Sequence, residues 1–258
     1  MNEAKKPKIY EWVEEATKLP IPPKVEKPEK TYDEKLVAFI DVLGMTEKTL
    51  GGSAEQSLTL MGNLRLCVDT ECSPLPGDVK FLQLGDGFTI VADLACINEL
   101  CEALSRIQWR VLVYSQMMLR GALTAGPVGF DEEHEDIKYI VGPAFISAYR
   151  LETKNAIYPR IILASEEIEP YMAQQSITIS FNHIVEDNDK LKYLDFIGHG
   201  IVTGKYSKRT LDHLLTTEGT KGLLKREYEK HLKEDKKEVA QKYGWLIRRL
   251  AAHGIDVL

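Results

Sequence analysis

The stretch Val37-Ala-Phe-Ile-Asp-Val-Leu-Gly-Met-Thr46 predicts a buried strand that ends in a glycine turn. Its first residues are apolar and mostly favour β-structure, as expected at the centre of a sheet. Asp41 follows directly, and a carboxylate at the end of an apolar strand is costly to bury unless a cation pairs with it. Gly44 permits a tight turn in which successive N–H groups can face one anion. The stretch therefore suits either a divalent metal that carries phosphate or a surface acid at the start of a loop.

Composition and charge restrict the class of protein. The chain has 258 residues, of which 44% are hydrophobic and 28% charged, as is usual for a soluble globular protein. Its formal net charge of −6 gives no basic field that would favour nucleic acid or an anionic membrane. No apolar run approaches the roughly 18 residues of a membrane span, and the polar, proline-rich start shows no signal peptide. We therefore expect a cytoplasmic protein without a nucleic-acid or membrane partner.

The four cysteines occur as two pairs with the same spacing, Cys67/Cys72 and Cys96/Cys101. The repeated spacing invites a zinc interpretation, but zinc pairs usually have shorter gaps or a turn between the ligands. Both pairs here lie in apolar sequence with helical character. We therefore predict that they are buried free thiols.

Three segments of the chain differ in their sequence patterns. Residues 1–33 are rich in proline, lysine and glutamate, which predicts a flexible arm. Residues 34–200 form the predicted main domain, and residues 201–258 a helical C-terminal extension. The order in the main domain is strand, helix, hairpin, helix, strand, helix, strand, strand. This order predicts an α+β fold, a ferredoxin-like antiparallel sheet covered by helices.

Two local signals predict element boundaries. Ser53 and Gln56 have the spacing of a capping box, which predicts the start of the first helix. Gly126-Pro127 predicts the end of the strand that begins at Met118.

The extension is predicted to be helical from about Ser207 to near its end, with an apolar stripe opposite a face dense in lysine and glutamate. Its members are Leu224, Tyr228, Leu232, Val239, Tyr243, Leu246 and Leu250. Such a stripe indicates an amphipathic helix. We predict that it packs on the protein's own core; the alternative is a helix that binds a partner.

Two acids, Asp41 and Asp86, stand at turns beside apolar strands. Gly85-Asp86-Gly87 is the tight turn of the predicted hairpin, which is a common structural device in its own right. If the strands pair, the carboxylates converge, and two close carboxylates need a cation between them. Magnesium or manganese would supply it, with oxygen ligands and open positions for phosphate. Arg120, on a later strand, is the candidate to hold a phosphate by bidentate contact.

Four motifs in this order resemble the class III nucleotide cyclase catalytic domain, over roughly residues 34–200. Asp41–Thr46 resembles the family's Asp-Ile-x-Gly-Phe-Thr, and Leu84-Gly85-Asp86 its second metal aspartate. Arg120–Val128 resembles Arg-x-Gly-Ile-His-x-Gly-Pro-Val. Gly142–Glu152 resembles Gly-x-x-Val-Asn-x-Ala-x-Arg-Leu-Glu. Each motif is weak alone, but the four together are specific.

The resemblance implies a head-to-tail homodimer with two composite sites. One subunit would hold two Mn²⁺ or Mg²⁺ ions through Asp41, Asp86 and the main-chain carbonyl of Val42. It would hold the triphosphate through the backbone at Gly44 and Met45 and through Arg120. The other subunit would supply Arg150 to the transition state. Arg150 is also well placed as a cation at a helix C-terminus, which is the structural alternative.

Three departures from the family pattern bear on rate and substrate. The transition-state Asn is replaced by Ile146, which cannot donate a hydrogen bond. Purine-selecting members have Lys and Asp where this chain has Leu82 and Tyr139. Phe39 lies on the same strand face as Asp41. With Leu82 and Tyr139, it is the candidate to line the base or ribose pocket.

Because it lacks these two purine-selecting residues, the chain resembles the bacterial pyrimidine cyclases of Pycsar anti-phage defence. In that group the cyclic nucleotide product activates a separate effector protein. The resemblance implies conversion of a pyrimidine triphosphate, most simply UTP, to the 3′,5′-cyclic monophosphate. A purine cyclase with unusual base contacts is one alternative. A catalytically inactive module that binds a nucleotide or a partner is another.

Overall fold

A computed structural model of the chain describes residues 31–45, 50–130, 139–202 and 219–258. Most of the predicted N-terminal arm (residues 1–30) and part of the extension (residues 203–218) lie outside the described residues. Tyr32–Leu258 form one compact unit. Among the described residues, no helix is long and apolar enough to cross a membrane.

The described strands are β1 (Asp33–Leu43), β2 (Lys80–Leu84), β3 (Gly87–Asp93), β4 (Met118–Phe130), β5 (Ile140–Val141), β6 (Ile161–Leu163), β7 (Ile184–Glu186) and β8 (Lys192–Leu194). The α-helices are α1 (Ala54–Cys72), α2 (Ile97–Ser115), α3 (Pro143–Asn155), α4 (Ser165–Gln174), α5 (Phe196–Val202), α6 (Thr220–Lys233) and α7 (Lys237–Ala252), and a 3-10 turn spans Leu94–Cys96.

The described strands pair in the order β2-β3-β1-β4-β6-β8-β7, and β5 pairs with the end of β4. The predicted α+β fold, a largely antiparallel sheet covered by helices, is confirmed. One described pair, β4 with β6, is parallel. Helix α3 lies between these two strands in the chain, so their connection is a crossover, which is the connection that parallel strands need.

Alternate residues of β1 serve the two faces of the sheet. Leu36, Ala38 and Ile40 pack on one face in the largest core cluster, which also contains Leu64 of α1 and Leu104 of α2. Helix α3 covers the other face. There Val37 packs with Ala144 and Ala148, and the partly buried Phe39 and Leu82 border this second cluster.

Several element boundaries differ from the sequence prediction. Strand β4 continues four residues past the predicted end at Gly126, because it stays paired with β1 at Pro127 and Val128 and with β5 beyond them. Helices α4 and α5 and strand β7 were not predicted. Over residues 219–258, the described C-terminal part of the extension, the chain forms two helices where the sequence suggested one, and Asp235 lies in the left-handed region (φ 56°) at the break. Leu232, a predicted stripe member, is 50% exposed beside this break.

The C-terminal helices pack on the protein's own core, as predicted for the stripe. Leu224, Trp245 and Leu250 share a buried cluster with Trp109 of α2 and Tyr193 of β8.

A fully buried arginine, Arg160, ties the same helices to the sheet. It pairs with Asp187 and Asp189, and Trp245 of α7 donates to Asp187 at 2.7 Å. The ring of Tyr158 stacks on Trp245 with a centroid distance of 5.8 Å. The extension is therefore part of the folded body.

The four cysteines are free thiols, as predicted. Cys72, Cys96 and Cys101 are buried, and Cys67 is half-buried. Burial raises the pKa of Cys67 to about 11 and the pKa of Cys72 and Cys101 to about 12. At neutral pH these thiols are protonated and serve as small apolar side chains.

Candidate active site

Asp41 and Arg120 face each other across the central strand pair of the sheet, β1 and β4. Nε and Nη2 of Arg120 both donate to Oδ2 of Asp41, each at 3.0 Å. The two side chains are 22% and 25% exposed, so solvent screens the pair only in part. The predicted cost of burying Asp41 is thus met by a guanidinium on the adjacent strand.

A second carboxylate shares this guanidinium. Oε1 of Glu152, on the buried face of α3, lies 2.8 Å from Nε of Arg120, and the side chain is 3% exposed. This oxygen has no hydrogen-bond partner among the described residues. Nη1 of Arg120 is directed elsewhere and donates to the carbonyl oxygen of Ala156 at 3.4 Å. One arginine therefore compensates two carboxylates.

Asp86 belongs to the same group. Gly85 and Asp86 form the two-residue turn between β2 and β3, with φ at Gly85 of +64°, a region that glycine adopts readily. Gly87, the next residue, is the register partner of Asp41. The strand pairing thus brings the predicted acids together at one end of the sheet.

The pKa values of these carboxyl groups reflect their burial first and the neighbouring negative charge second. Burial raises the pKa of Asp41, the hydrogen bonds from Arg120 lower it, and the charge of Asp86 raises it again, with a net increase. Burial likewise raises the pKa of Glu152, Arg120 lowers it, and the charges of Asp41 and Asp86 raise it further. An additional cation would relieve the repulsion at this end of the sheet.

The donor set suits a hard divalent cation that also binds phosphate. Asp41 and Asp86 supply carboxylate oxygens, and Glu152 adds a third carboxyl group that shares Arg120 with Asp41. No cluster of three or more His, Cys, Asp or Glu with metal-site geometry occurs in the described part of the chain. Two carboxylates without a full protein cage fit Mg²⁺ or Mn²⁺, since such ions keep water and take further ligands from phosphate.

The turn after β1 has the backbone that the sequence predicted. Gly44 is exposed, has a φ of +79°, and has open space where a Cβ would lie. Met45 is 5% exposed and buries its side chain in the largest core cluster, so that it anchors the turn. Thr46, the last residue of the predicted motif, lies outside the described residues.

The predicted pocket residues Phe39 and Leu82 lie in one row across the sheet. Both are register partners of Thr89 on β3, which stands between them. The ring of Phe39 makes edge contacts with Phe145 at 6.3 Å and Tyr149 at 5.4 Å between centroids. Within this row, Phe39 lies two residues from Asp41 along β1, on the same face.

The remaining predicted residues are not brought to Asp41 within one subunit. Arg150 is exposed on α3 and makes no ion pair with another described residue. Tyr139 is 54% exposed beside the pairing of Ile140 with Phe130, ten residues along β4 from Arg120. That separation is about 33 Å along an extended strand. Ile146, at the position of the family's Asn, is 48% exposed on α3.

Comparison with known proteins identifies the fold. No protein-family model and no curated protein matches this chain. The monomeric guanylyl cyclase domain of the RhoGC fusion protein from the aquatic fungus Blastocladiella emersonii matches with a TM-score of 0.50 at 19% sequence identity, over 64% of this chain and 95% of that chain. A dimeric form of that domain matches with a TM-score of 0.50 at 17% identity, over 64% and 97%.

This chain has the fold of a guanylyl cyclase domain. The four sequence motifs predicted such a cyclase fold, and the residues that open the first and third motifs, Asp41 and Arg120, meet at the end of the sheet beside Asp86 of the second. Sequence reasoning assigned no role to Glu152, although it closes the fourth motif. Its contact with Arg120 follows from the packing of α3 on the sheet.

Proposed function

We propose that this protein is a nucleotide cyclase that converts a pyrimidine nucleoside triphosphate, UTP, to the 3′,5′-cyclic monophosphate and pyrophosphate. The observation that carries the proposal is the convergence of Asp41, Asp86 and Arg120 at one end of a sheet with a cyclase fold. The product would serve as a signal for a separate effector protein in anti-phage defence.

Divalent ions, Mg²⁺ or Mn²⁺, would be held by the carboxylates of Asp41 and Asp86 and by the main-chain carbonyl of Val42. When bound, such ions activate the attacking oxygen and neutralise the phosphate charge. The positive charge of these ions would also compensate the Asp41 carboxylate in place of the Arg120 guanidinium. The guanidinium is then free to bind the triphosphate, while Glu152 keeps it near the site.

The polypeptide would hold the triphosphate and orient it. The exposed turn at Gly44 and Met45 presents main-chain N–H groups that suit an anion. The ribose 3′-oxygen attacks the α-phosphorus, and the bond from that phosphorus to the oxygen bridging to the β-phosphorus breaks. Pyrophosphate leaves with the bond electrons, and the hydroxyl proton passes to solvent. Positioning and charge stabilisation are the protein's contributions.

A second copy of the chain would complete each site. Ile146, Tyr149 and Arg150 have the spacing i, i+3, i+4 and so share one face of α3. Ile146 and Tyr149 are 48% and 50% exposed, an apolar surface that flanks the exposed arginine. Packing this face against the Asp41 end of a partner subunit would bury the apolar side chains and deliver Arg150 to the α-phosphate.

The proposed choice of a pyrimidine rests on the residues that would meet the base. Leu82 is partly buried and apolar, and Tyr139 is a large exposed aromatic. Neither residue carries a charge, so they cannot replace the Lys and Asp that select purines in the family that the chain resembles. The aromatic group of Phe39, Phe145 and Tyr149 further narrows the face beside Asp41. A smaller base suits this pocket better than a purine.

A purine cyclase is the second candidate, because the solved domains with a similar fold carry guanylyl cyclase in their names. Incubation with each of the four NTPs and Mn²⁺, followed by mass detection of products, separates the two. We expect cyclic UMP from the wild type and from Asp235→Asn, an exposed control, and none from Asp41→Ala or Asp86→Asn. Cyclic GMP or cyclic AMP as the main product would overturn the pyrimidine assignment.

The third candidate is an inactive nucleotide-binding module, favoured by the apolar Ile146 where the family has Asn. It predicts that the wild type forms no product with any NTP, while Asp41→Ala still changes nucleotide binding. The same panel, with a binding measurement by calorimetry, therefore decides this case as well.

A further inference from the structure

A cavity of about 480 Å³ lies between the C-terminal helices and the end of β1. We name it the C-terminal pocket. It is lined by Leu43 and Gly44, by Leu112 and Gln116 to Met118, and by residues of α6 and α7 that include Glu227, Lys230, His231, Val239, Lys242 and Tyr243. Its volume falls within the range of about 300–1,000 Å³ typical of small-molecule sites.

The lining combines an apolar floor with a polar end. Leu112 and Met117 are each 2% exposed, and with Leu224 they form a rigid apolar surface. The lining also includes Lys230 and His231 of α6 and Lys242 of α7, which supply its polar groups. Such a combination, an apolar body with a few polar groups that fix orientation, is typical of a site for an organic ligand.

The charges of the lining favour an anion. Glu227 is its acidic residue, and Nζ of Lys230 lies 3.3 Å from Oε2 of that glutamate. Two lysines against one glutamate leave the lining with a formal charge of +1 when His231 is neutral. Glu234, outside the lining but near His231, is itself paired with Lys236 at 3.0 Å, so an anionic head would still be attracted to this end of the pocket.

His231 provides an independent indication of a missing partner. Its side chain is 5% exposed, and its ring stacks on Tyr243 with a centroid distance of 5.7 Å. Nε2 lies 3.5 Å from Oε2 of Glu227, but Nδ1 has no hydrogen-bond partner among the described residues, since Oε2 of Glu234 is 3.8 Å away. A buried nitrogen without a partner costs free energy, and a polar ligand atom in the pocket would satisfy it.

We propose that the C-terminal pocket binds a small organic anion, with its apolar body against Leu112 and Met117 and its anionic head near His231 and Lys242. The ligand acts as an effector, because Gly44 lines the pocket and belongs to the turn assigned to the triphosphate. Gln116, also in the lining, takes the left-handed conformation (φ 52°) at the C-terminus of α2, where the chain turns into β4 and toward Arg120. The effector role, unlike the binding site, rests on the proposed function.

The binding test uses 8-anilinonaphthalene-1-sulfonate as the anionic probe and N-phenyl-1-naphthylamine as its neutral counterpart, by fluorescence titration without nucleotide. We expect one saturable site per subunit for the anionic probe. Val239→Trp, which fills the pocket, should weaken binding at least about tenfold. Gln241→Trp, an exposed change on the same helix, should leave it unchanged. Equal affinities for these two variants would overturn the proposal.

A charge variant keeps the test decisive if Val239→Trp does not fold. Lys242→Met should weaken the sulfonate about tenfold, as expected for a lost charged hydrogen bond, and leave the neutral probe unaffected. Lys233→Met on the exposed face of α6 is the control. If Lys242→Met and Lys233→Met bind the sulfonate alike, the assignment of an anion site is wrong.

The effector role is tested separately, by the rate of product formation with and without the sulfonate. We expect the KM for the NTP to change at least about twofold in the wild type and to stay constant in Lys242→Met at the same probe concentration. An unchanged KM in a wild type that binds the probe overturns the effector role. Absence of any product from the wild type without probe instead contradicts the proposed function, so the two failures are distinguishable.

Discussion

Asp41 and Arg120 are direct cross-strand partners, and the arginine donates from both Nε and Nη2 to one oxygen of the aspartate at 3.0 Å. The pair joins the residue assigned to metal with the residue assigned to triphosphate. A cation that binds Asp41 must therefore compete with Arg120. In this account, ion binding and release of the guanidinium toward phosphate are coupled.

Arg120→Lys tests this pair, because lysine keeps the charge but loses the planar two-nitrogen contact. We expect kcat/KM for UTP with Mn²⁺ to fall about 10- to 100-fold, as losing a charged hydrogen bond of about 1.5–3 kcal/mol would produce. Arg65→Lys is the matched control, since Arg65 forms a comparable but exposed pair with Asp69. If the two variants lose activity equally, Arg120 has no special role at the site.

Glu152→Gln tests the crowding of carboxylates through the pH dependence of stability. The pKa of Glu152 is raised in the folded state, so the folded protein binds more protons than the unfolded chain above the ordinary pKa. This carboxyl therefore favours the folded state at low pH, and its contribution is lost as pH rises through the folded pKa. The wild type should lose stability relative to Glu152→Gln over that rise.

Urea unfolding without metal, from about pH 4 to pH 8, measures this difference. Glu229→Gln, on the exposed side of α6, should follow the wild type at every pH. If the free energies of unfolding of Glu152→Gln and of the wild type change with pH in parallel, the pKa of Glu152 is not raised in the folded state.

The double substitution Leu82→Lys with Tyr139→Asp tests base selection. It installs the residue types that resemble the family's purine readers, and a matched hydrogen bond to the base contributes strongly to discrimination. We expect the ratio of kcat/KM for GTP or ATP over UTP to rise at least about tenfold. The conservative pair Leu82→Met with Tyr139→Phe should leave the ratio unchanged. No shift in the double variant would remove these positions from the base pocket.

Arg160→Met tests whether the extension is part of the folded body. Arg160 is fully buried between Asp187 and Asp189. Its removal leaves these two carboxylates without their cation beside Trp245 of α7. We expect a loss of about 3–5 kcal/mol in the free energy of unfolding, measured in urea. Lys190→Met breaks an exposed pair with Glu186 and should cost no more than about 1 kcal/mol. A similar small cost for both would contradict the structural role of Arg160.

Much of the fold could be predicted, because its strongest elements carry local signals. Ser53 caps the start of α1 with the predicted capping box, in which the side chains of Ser53 and Gln56 each accept a hydrogen bond from the other residue's main-chain N–H group. The two-residue turn at Gly85 and Asp86 also follows from local sequence. In contrast, the end of β4 depends on pairing with β1 and β5, so a local Gly-Pro signal at 126–127 was misleading.

Part of the site could also be predicted from local signals in the sequence. Strand ends and turns located Asp41, Asp86 and Gly44, and the register then joined Asp41 to Arg120. The role of Glu152 depends on how α3 packs against the sheet, which no local pattern reveals. Arg150 and Tyr139 lie far from Asp41 in one subunit, so their predicted roles require a partner subunit.

Subunit complementation tests the central claim, a composite site shared by two copies of the chain. Asp41→Ala and Arg150→Ala each disable both sites of a homodimer, but a mixed dimer keeps one site with both residues intact. After unfolding, mixing in equal amounts and refolding, half of the dimers are mixed, and about one quarter of the wild-type rate of cyclic UMP formation should return. A mixture that stays as inactive as either variant alone would contradict the account.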